Sequence, residues 1–200
     1  MADFWGNYSF ARNPYGATTC TQRAISQLTT EKNRLSATVC SRVAVMRLSF
    51  RPMVLDDIPF ILPIELSAYP FPWTEDILQN CVKLGYECWV VIFDNTIIGY
   101  SVMLIAVDEC HILNLCINPT QQQRGYGKAL LQHILTIAKQ KSVQRCLLEV
   151  RPSNIAAYQL YLQQGFELIG IRKAYYPAKD GREDALVLQL VLAYRHLNSV

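Results

Sequence analysis

The sequence lacks any apolar run long enough to cross a membrane as a helix, which requires about 20 residues. It has no C-x-x-C pair among its seven cysteines, and its three histidines are scattered. Because a structural zinc site needs clustered cysteine and histidine ligands, the sequence predicts no metal site. Most cysteines stand within apolar segments, which indicates buried, reduced thiols of a cytoplasmic protein rather than a disulfide framework.

Charged residues are also scarce, at 18% of the chain, and the excess of positive charge stands at one end. Residues 1–45 hold five of the 19 basic and two of the 16 acidic residues, so the rest of the chain has 14 of each. A neutral body does not provide the basic surface that nucleic acids need. We therefore expect neither a nucleic-acid nor a membrane partner, and a content of 51% hydrophobic residues predicts a globular core.

Residues 1–45 differ from the rest of the chain because they are rich in Ser, Thr and Arg and show no sustained apolar period. Three interpretations stay open: a disordered tail, a stretch upstream of a true start at Met46, or an organelle transit peptide. The folded domain is expected at 46–195.

Beyond Met46 the apolar periodicity predicts elements in the order β-α-α-β-β-β-α-β-α-β-β. Strands are expected at 43–51, 87–93, 96–107, 110–117, 145–150, 166–176 and 183–192. Helices are expected at 57–69, from the N-cap Thr74 onwards, at 126–141 and at 153–165, with a kink at Pro63. This order indicates an α/β protein with a mixed seven-stranded sheet and helices on both faces.

The segment QQQRGYGKAL (121–130) joins a strand to a helix through Gly125 and Gly127. Glycines let the backbone approach a ligand, and the free N–H groups of a helix start attract anions. A nucleotide P-loop would need a hydroxyl residue where Ala129 stands, and a dinucleotide fold would need a third glycine where Leu130 stands. The alternative to a phosphate site is a plain turn that uses glycines for its geometry.

Glu149 stands in the strand LLEVR, whose other residues up to Val150 are apolar. Alternation places Glu149 on the same face as Leu147 and Arg151. A half-buried carboxylate costs free energy unless it has a partner, so an ion pair with Arg151 or another basic residue is one interpretation. The other is a general base whose pKa is raised by burial.

Tyr158 and Tyr161 are three residues apart in the helix predicted over 153–165 and share one face. Packing in the core, with the hydroxyl groups at its rim, is the simpler interpretation for both.

Two segments resemble the GCN5-related N-acetyltransferase (GNAT) family. Residues Q122-Q-R-G-Y-G127 resemble its Q/R-x-x-G-x-G/A signature, and 154–166 resemble its N-x-x-A-x-x-L-Y-x-x-x-G-F segment. The resemblance implies the family's fold and the use of acetyl-coenzyme A as co-substrate. The cofactor-binding residues that it implies are Leu115, Cys116 and Ile117 through their backbone, and Gln123, Arg124, Gly125, Tyr126, Gly127, Lys128 and Asn154. Gln123 departs from the pattern, since relatives often have a basic residue there.

The same resemblance implies the chemistry. Glu149 would accept the proton of the attacking amine, and Tyr161 would protonate or hydrogen-bond the departing sulfur. Backbone N–H groups of Leu115–Ile117 would polarise the thioester carbonyl. Cys116 has no nucleophilic role in this scheme.

Further motifs resemble one branch of the family, the RimI proteins, which acetylate the N-terminal alanine of a small-subunit ribosomal protein. They are D57-I-P, F71-P-W-T-E-D, L147-L-E-V-R-P-S-N154 and Y175-Y-P-A-K-D-G-R-E-D-A185, within a resemblance over about 47–192. A ribosomal-protein N-terminus is therefore the expected substrate. Trp73, Tyr175 and Tyr176 are expected to wall a peptide-sized groove, because aromatic side chains give rigid contact area.

Two other functions stay open at this point: acetylation of lysine side chains or of a small-molecule amine, and binding of coenzyme A without turnover. We expect a monomer in the cytoplasm, or in an organelle if residues 1–45 are a transit peptide.

Overall fold

The computed structural model describes residues 48–192, whose strands form one mixed sheet in the order β1-β2-β3-β4-β5-β7-β6. The strands are β1 (Leu48–Pro52), β2 (Glu87–Phe93), β3 (Thr96–Ala106), β4 (Glu109–Ile117), β5 (Arg145–Val150), β6 (Glu167–Ala178) and β7 (Gly181–Val191). The α-helices are α1 (Ile58–Ala68), α2 (Glu75–Lys83), α3 (Tyr126–Gln140) and α4 (Ile155–Gln163). The seven-stranded α/β architecture and the element order predicted from sequence are confirmed.

Parts of three predictions lie outside the described residues. They are the tail at 1–45, the first five residues of the strand expected at 43–51, and the ends of the domain expected at 46–195.

The sheet contains one parallel pair of strands, β4 and β5, and its other pairs are antiparallel. Strands β1 to β4 pair antiparallel in sequence order, β4 pairs parallel with β5, and β5, β7 and β6 pair antiparallel. A parallel pair needs a long crossover connection, and α3 is the helix in that connection. The β4–β5 pairing is short, running only from Glu109 opposite Arg145 to Ile112 opposite Leu148.

Two apolar clusters lie on opposite faces of the sheet, because neighbouring residues of a strand point to opposite sides. Val91 belongs to the cluster that buries α3 together with Tyr161 of α4. Val90 belongs to the cluster that buries α1 and α2. Helices therefore cover both faces, as the sequence predicted.

Local sequence explains where two of the helices begin. Thr74 caps α2 by accepting a hydrogen bond from the Ile77 N–H, and Asn154 caps α4 by accepting one from the Ala157 N–H. The helix α1 continues through Pro63, so this proline does not end it. No helix within residues 48–192 combines the length and the apolar character that a membrane crossing requires.

Gly99 of β3 is packed directly against the end of β4, where it pairs with Ile117. A Cβ atom added at Gly99 would lie 2.5 Å from the carbonyl oxygen of Cys116 and 2.6 Å from Cδ1 of Ile117. The backbones of β3 and β4 can therefore keep this spacing only with glycine at this position.

We expect Gly99→Ala to lower the free energy of unfolding by about 2 kcal/mol, because the added methyl group overpacks the β3–β4 contact. Gly170→Ala is the matched control: a Cβ there meets no atom within 4 Å. Urea unfolding of the two variants checks the expectation, and equal stability of both would contradict it.

Candidate active site

A central cleft of about 260 Å³ opens beside the β4–β5 junction. Its walls come from the end of α1 and the segment that follows it, from β4, β5 and α4, and from β6. The side chains that matter below are Glu65, Tyr69, Trp73, Asn114, Glu149, Asn154, Tyr161 and Tyr176.

The position of this cleft follows from how β4 leaves its neighbour. Pairing with β5 ends at Ile112, yet β4 continues for five residues to Ile117. On the other side β4 stays paired with β3, apart from an irregularity in register that leaves Leu113 without an opposite residue. Such a bulge bends the strand. The residues after Ile112 thus have no strand partner on the β5 side, and Leu115 lines the cleft.

The glycine turn follows directly after β4. Gln123 and Gly125 both have positive φ, of 60° and 84°, and Gly125 is the N-cap of α3. The Gln122 side chain ties the turn to β4 by donating a hydrogen bond of 2.9 Å to the carbonyl oxygen of Ile117. The first N–H groups of α3 have no partner within the helix, and such groups favour a bound anion.

Gly127 has room for a side chain within the protein itself. A Cβ there would lie 3.6 Å from Leu160 and 3.8 Å from Ile117, which are ordinary contacts. Packing inside the chain therefore does not require this glycine, whereas Gly125 requires glycine through its φ. Tyr126 packs against Phe93, while Arg124 and Lys128 are exposed at the same turn.

Glu149 lies in the wall of the central cleft with its side chain 15% exposed. The structure shows the ion pair that was one interpretation of Glu149, with Nη2 of Arg172 at 3.2 Å from its Oε1. The partner is not Arg151, which binds Glu183 at 3.1 Å and lies over the ring of Tyr176. Because the Arg172 side chain is 53% exposed, the pair is open to water on the arginine side.

Tyr161 lies in the same cleft, and only 7% of the residue is exposed. Its ring contacts Phe166 edge to face at 5.7 Å between centroids. Burial, reinforced by nearby Tyr176 and Cys146, raises the pKa of the Tyr161 phenol well above its usual range, so the group stays protonated at neutral pH. Tyr158 packs against the α3 cluster and does not line the cleft.

The residues expected to wall a groove are only partly brought together. Trp73 and Tyr176 line the central cleft, while Tyr175 is exposed and lies outside its lining. Burial, with the charge of Glu149 next in importance, raises the pKa of Tyr176 to about 12. Tyr175 and Tyr176 contact each other at 4.9 Å between centroids.

Cys116 and Ile117 are buried, so their side chains belong to the core and only their backbones could bind a ligand. Burial, with Glu65 as a second cause, raises the pKa of the Cys116 thiol to about 12. A protonated, buried thiol is a poor nucleophile. Within the described residues, no group of three or more metal-ligating side chains is found.

Hydrogen bonds of the DGRED segment shape the hairpin that carries Tyr176. Opposite this segment the register of β6 shifts between Arg172 and Tyr176. Asp184 accepts hydrogen bonds from the side chain of Lys173 and the N–H of Ala174, and Arg182 donates to two carbonyl oxygens of the same stretch. The partners of Asp184 and Arg182 are therefore a lysine and backbone groups.

Sequence reasoning missed four residues of the cleft region: Glu65, Tyr69, Tyr100 and Asn114. Glu65 is 1% exposed and accepts hydrogen bonds from the Tyr100 hydroxyl at 2.6 Å and the Trp73 N–H at 2.8 Å. The sequence did contain a signal, because Glu65 is the single charged residue among the eleven of α1.

Comparisons with known proteins show which family this chain is similar to in sequence and in fold. Residues 56–166 match the Acetyltransferase (GNAT) family. The chain is 34% identical over 137 residues to the [ribosomal protein bS18]-alanine N-acetyltransferase of Escherichia coli K12, covering 68% of this chain and 93% of the relative. It is 39% identical over 137 residues to the protein of the same name from Haemophilus influenzae, with the same coverage. The crystal structure of the ribosomal-protein-S18-alanine N-acetyltransferase from Escherichia coli superimposes with a TM-score of 0.71 at 30% identity, covering 77% of this chain and 99% of that one.

Glu183 is a site at which stability should depend on pH. Partial burial alone would raise its pKa, but hydrogen bonds from Ser153 and the charge of Arg151 lower it overall. A lowered pKa in the folded state stabilises the fold at pH values above the unfolded-state pKa of about 4.3. This stabilisation is lost as the pH falls through the folded-state pKa. We expect Glu183→Gln to cost about 1 kcal/mol near pH 7 and progressively less as the pH falls below about 4.3.

Urea unfolding across this pH range measures the difference. Glu167→Gln, an exposed carboxylate of β6, is the control that should leave the pH profile unchanged. A Glu183→Gln profile parallel to the wild-type profile would contradict the expectation.

Proposed function

Because the chain belongs to the acetyltransferase (GNAT) family, we propose that it transfers the acetyl group of acetyl-coenzyme A to the α-amine of a protein N-terminus. The chain is an acyltransferase, and the likeness to the RimI branch predicted from sequence is confirmed by relatives at 34% and 39% identity. The observation that carries the proposal is that Glu149 and a protonated Tyr161 line one cleft at the unpaired end of β4.

The finer proposal concerns the natural substrate. Both bacterial relatives are named for the N-terminal alanine of ribosomal protein bS18, and this chain covers 93% of their length. We therefore propose that the substrate of this enzyme is the N-terminal alanine of a ribosomal protein of that kind. Trp73 and Tyr176 would contact the first residues of the bound peptide.

Acetyl-coenzyme A, as co-substrate, would supply an activated thioester carbonyl. The N–H groups of the turn from Gln123 to Lys128 would bind its pyrophosphate, with Arg124 and Lys128 adding positive charge. The N–H groups of Leu115–Ile117 on the side without a strand partner would bind the extended arm and the carbonyl oxygen. Asn154, which lines the cleft at the start of α4, would bind the same arm.

The amine must lose its proton before it can attack. A peptide α-amine has a pKa of about 7.7–8.0, so most of it is charged at neutral pH. Glu149 would accept that proton, directly or through water. Arg172 already balances the charge of Glu149, and the entering ammonium group would take over this place as the exposed arginine moves aside.

Tyr161 would assist the departing sulfur. A thiol of ordinary acidity has a pKa of about 8.5, far below that of a buried phenol, so full proton transfer from Tyr161 to the thiolate is uphill. The raised pKa of Tyr161 therefore favours donation of a hydrogen bond to the developing thiolate over release of the proton.

We propose a monomer that works in the cytoplasm and binds neither nucleic acid nor membrane. The alternative location in an organelle depends on residues 1–45, which lie outside the described residues.

Purified protein incubated with acetyl-coenzyme A and short peptides beginning Ala-Arg, Ser-Tyr or Met tests the function. Thiol release shows turnover, and mass spectrometry shows which nitrogen carries the acetyl group. Acetylation of the α-amine, greatest on the alanine peptide, is expected. Modification of lysine or of small amines alone would support an acetyltransferase for lysine side chains or small-molecule amines. Binding of acetyl-coenzyme A without thiol release would support a coenzyme A-binding protein without turnover.

We expect Glu149→Gln to lower the turnover rate by about 10²–10⁴-fold at neutral pH. The loss should shrink above about pH 8, where the peptide α-amine is already largely neutral. A pH profile of kcat for wild type, Glu149→Gln and the control Glu167→Gln checks this. A loss that is independent of pH would remove Glu149 from the role of base.

We expect Tyr161→Phe to lower kcat by about 10- to 100-fold while acetyl-coenzyme A binds with nearly unchanged affinity. Tyr158→Phe is the matched control, because it changes a phenol on the same helix that does not line the cleft. Calorimetric binding and steady-state kinetics separate the two effects. Full activity of Tyr161→Phe would exclude its role as a donor.

A further inference from the structure

The buried position of Glu65 is unfavourable for a carboxylate and lowers the free energy of unfolding. It lies in the last turn of α1, where the helix dipole disfavours an acid, and that turn contains no basic residue. It is 1% exposed, and no ion pair joins it to a basic side chain in residues 48–192. A carboxylate buried without a cation costs several kcal/mol unless hydrogen bonds offset the lost hydration.

The hydrogen bonds that offset this cost run in one direction and end on Glu65. The side-chain amide of Asn114 donates to the Tyr100 hydroxyl at 2.9 Å, so the single proton of that hydroxyl is free to go to Glu65. The Trp73 N–H can only donate, and it does so to the other carboxylate oxygen at 2.8 Å. Both oxygens of Glu65 therefore act as acceptors.

The same network reaches the cleft walls from two sides. The single proton of the Tyr69 hydroxyl is shared between two acceptors, the side-chain oxygen of Asn114 and the carbonyl oxygen of Leu115, each at 3.3 Å. Glu65 thus connects the segment that carries Trp73 with the part of β4 that no longer pairs with β5. Trp73 is eight residues further along the chain, and Glu65 is the side chain that accepts a hydrogen bond from its backbone.

Ion pairing distinguishes Glu65 from Glu149, the other acid that lines the cleft, and from Glu183, which binds the cleft residue Arg151. Glu149 pairs with Arg172, and Glu183 pairs with Arg151, so each has a basic partner. A carboxylate that only stabilised the fold would be better replaced by an apolar residue at this buried position. The contacts of Glu65 instead point to a role in holding the Trp73 segment, which forms the wall proposed to contact the substrate.

We propose that Glu65 is a positioning residue for the peptide substrate: it fixes Trp73 and, through Tyr100 and Asn114, sets its distance from β4. The inference rests on the proposed function, because it assigns the Trp73 wall to the peptide rather than to acetyl-coenzyme A. Glutamine replaces the carboxylate only in part. With its amide oxygen on the Trp73 N–H, its amide nitrogen faces the Tyr100 hydroxyl, whose proton then loses its acceptor.

Steady-state kinetics of Glu65→Gln test the proposal. The KM for an alanine-starting peptide should rise about tenfold. This is the factor that corresponds to about 1.4 kcal/mol, roughly the contribution of one charge-assisted hydrogen bond. The kcat should fall less than about threefold, and the KM for acetyl-coenzyme A should stay the same. Glu75→Gln, the same chemical change at an exposed site on α2, should leave all three constants at wild-type values.

A double-mutant cycle shows whether Glu65 acts through Trp73. Once Trp73→Ala has removed the wall, adding Glu65→Gln should raise the peptide KM by less than about twofold. Additive effects in the cycle, an unchanged peptide KM, or equal increases in both KM values would each overturn the proposal. If Glu65→Gln does not fold, Tyr100→Phe removes one donor with little change in volume and should raise the peptide KM in the same way.

A measurement without turnover separates this inference from the proposed function. In protein carrying Trp5→Phe and Trp89→Phe, Trp73 is the single tryptophan, and acrylamide quenching of its fluorescence reports its exposure. Glu65→Gln should raise the quenching constant, whereas an unchanged constant would overturn the positioning role. Failure of the wild type to acetylate any peptide would instead refute the proposed function.

Discussion

The early end of the β4–β5 pairing is the constraint on which the rest of the site depends. Four residue pairs hold the parallel strands together, after which β4 continues alone on that side. Backbone N–H and C=O groups without a strand partner must find water or a ligand, because leaving them unpaired costs free energy. The bulge at Leu113 and the close contact of Gly99 with Cys116 keep β4 on β3 while β5 departs. The opening between the strands is therefore built into the sheet.

The charges around this opening are arranged in fixed pairs. Arg172 lies in β6 and Arg151 directly follows β5, and each binds a different carboxylate. Arg151 lies over the ring of Tyr176, and its partner Glu183 accepts a hydrogen bond from the Ser153 N–H. Glu149 keeps a partner that faces water. An exposed, exchangeable partner suits the role of base proposed for Glu149, because the incoming amine is positively charged.

Much of the fold could be predicted from sequence because its signals are local. The strand LLEVR alternates cleanly, and Thr74 and Asn154 mark helix starts by their own hydrogen bonds. The geometry of the glycine turn is also local, because it depends on the positive φ angles of Gln123 and Gly125. The hydrogen-bond and ion-pair partners that lie far apart in the sequence could not be predicted. The choice of Arg172 over Arg151 for Glu149 depends on how β6 pairs with β7, and the bond from Trp73 to Glu65 depends on how a loop folds back over α1.

The two apolar clusters on opposite faces of the sheet divide the enzyme into layers that can change separately. The layer with α3 and Tyr161 contacts the glycine turn, whereas the layer with α1 and α2 contains the ring of Trp73. Close packing makes each interior sensitive to volume changes within itself, but side chains of one layer do not interlock with those of the other. On the proposed assignment, substitutions around Trp73 would alter recognition of the acceptor while the packing of α3 and the glycine turn stays intact. A family built on this sheet can diversify its acceptors without redesigning its donor chemistry.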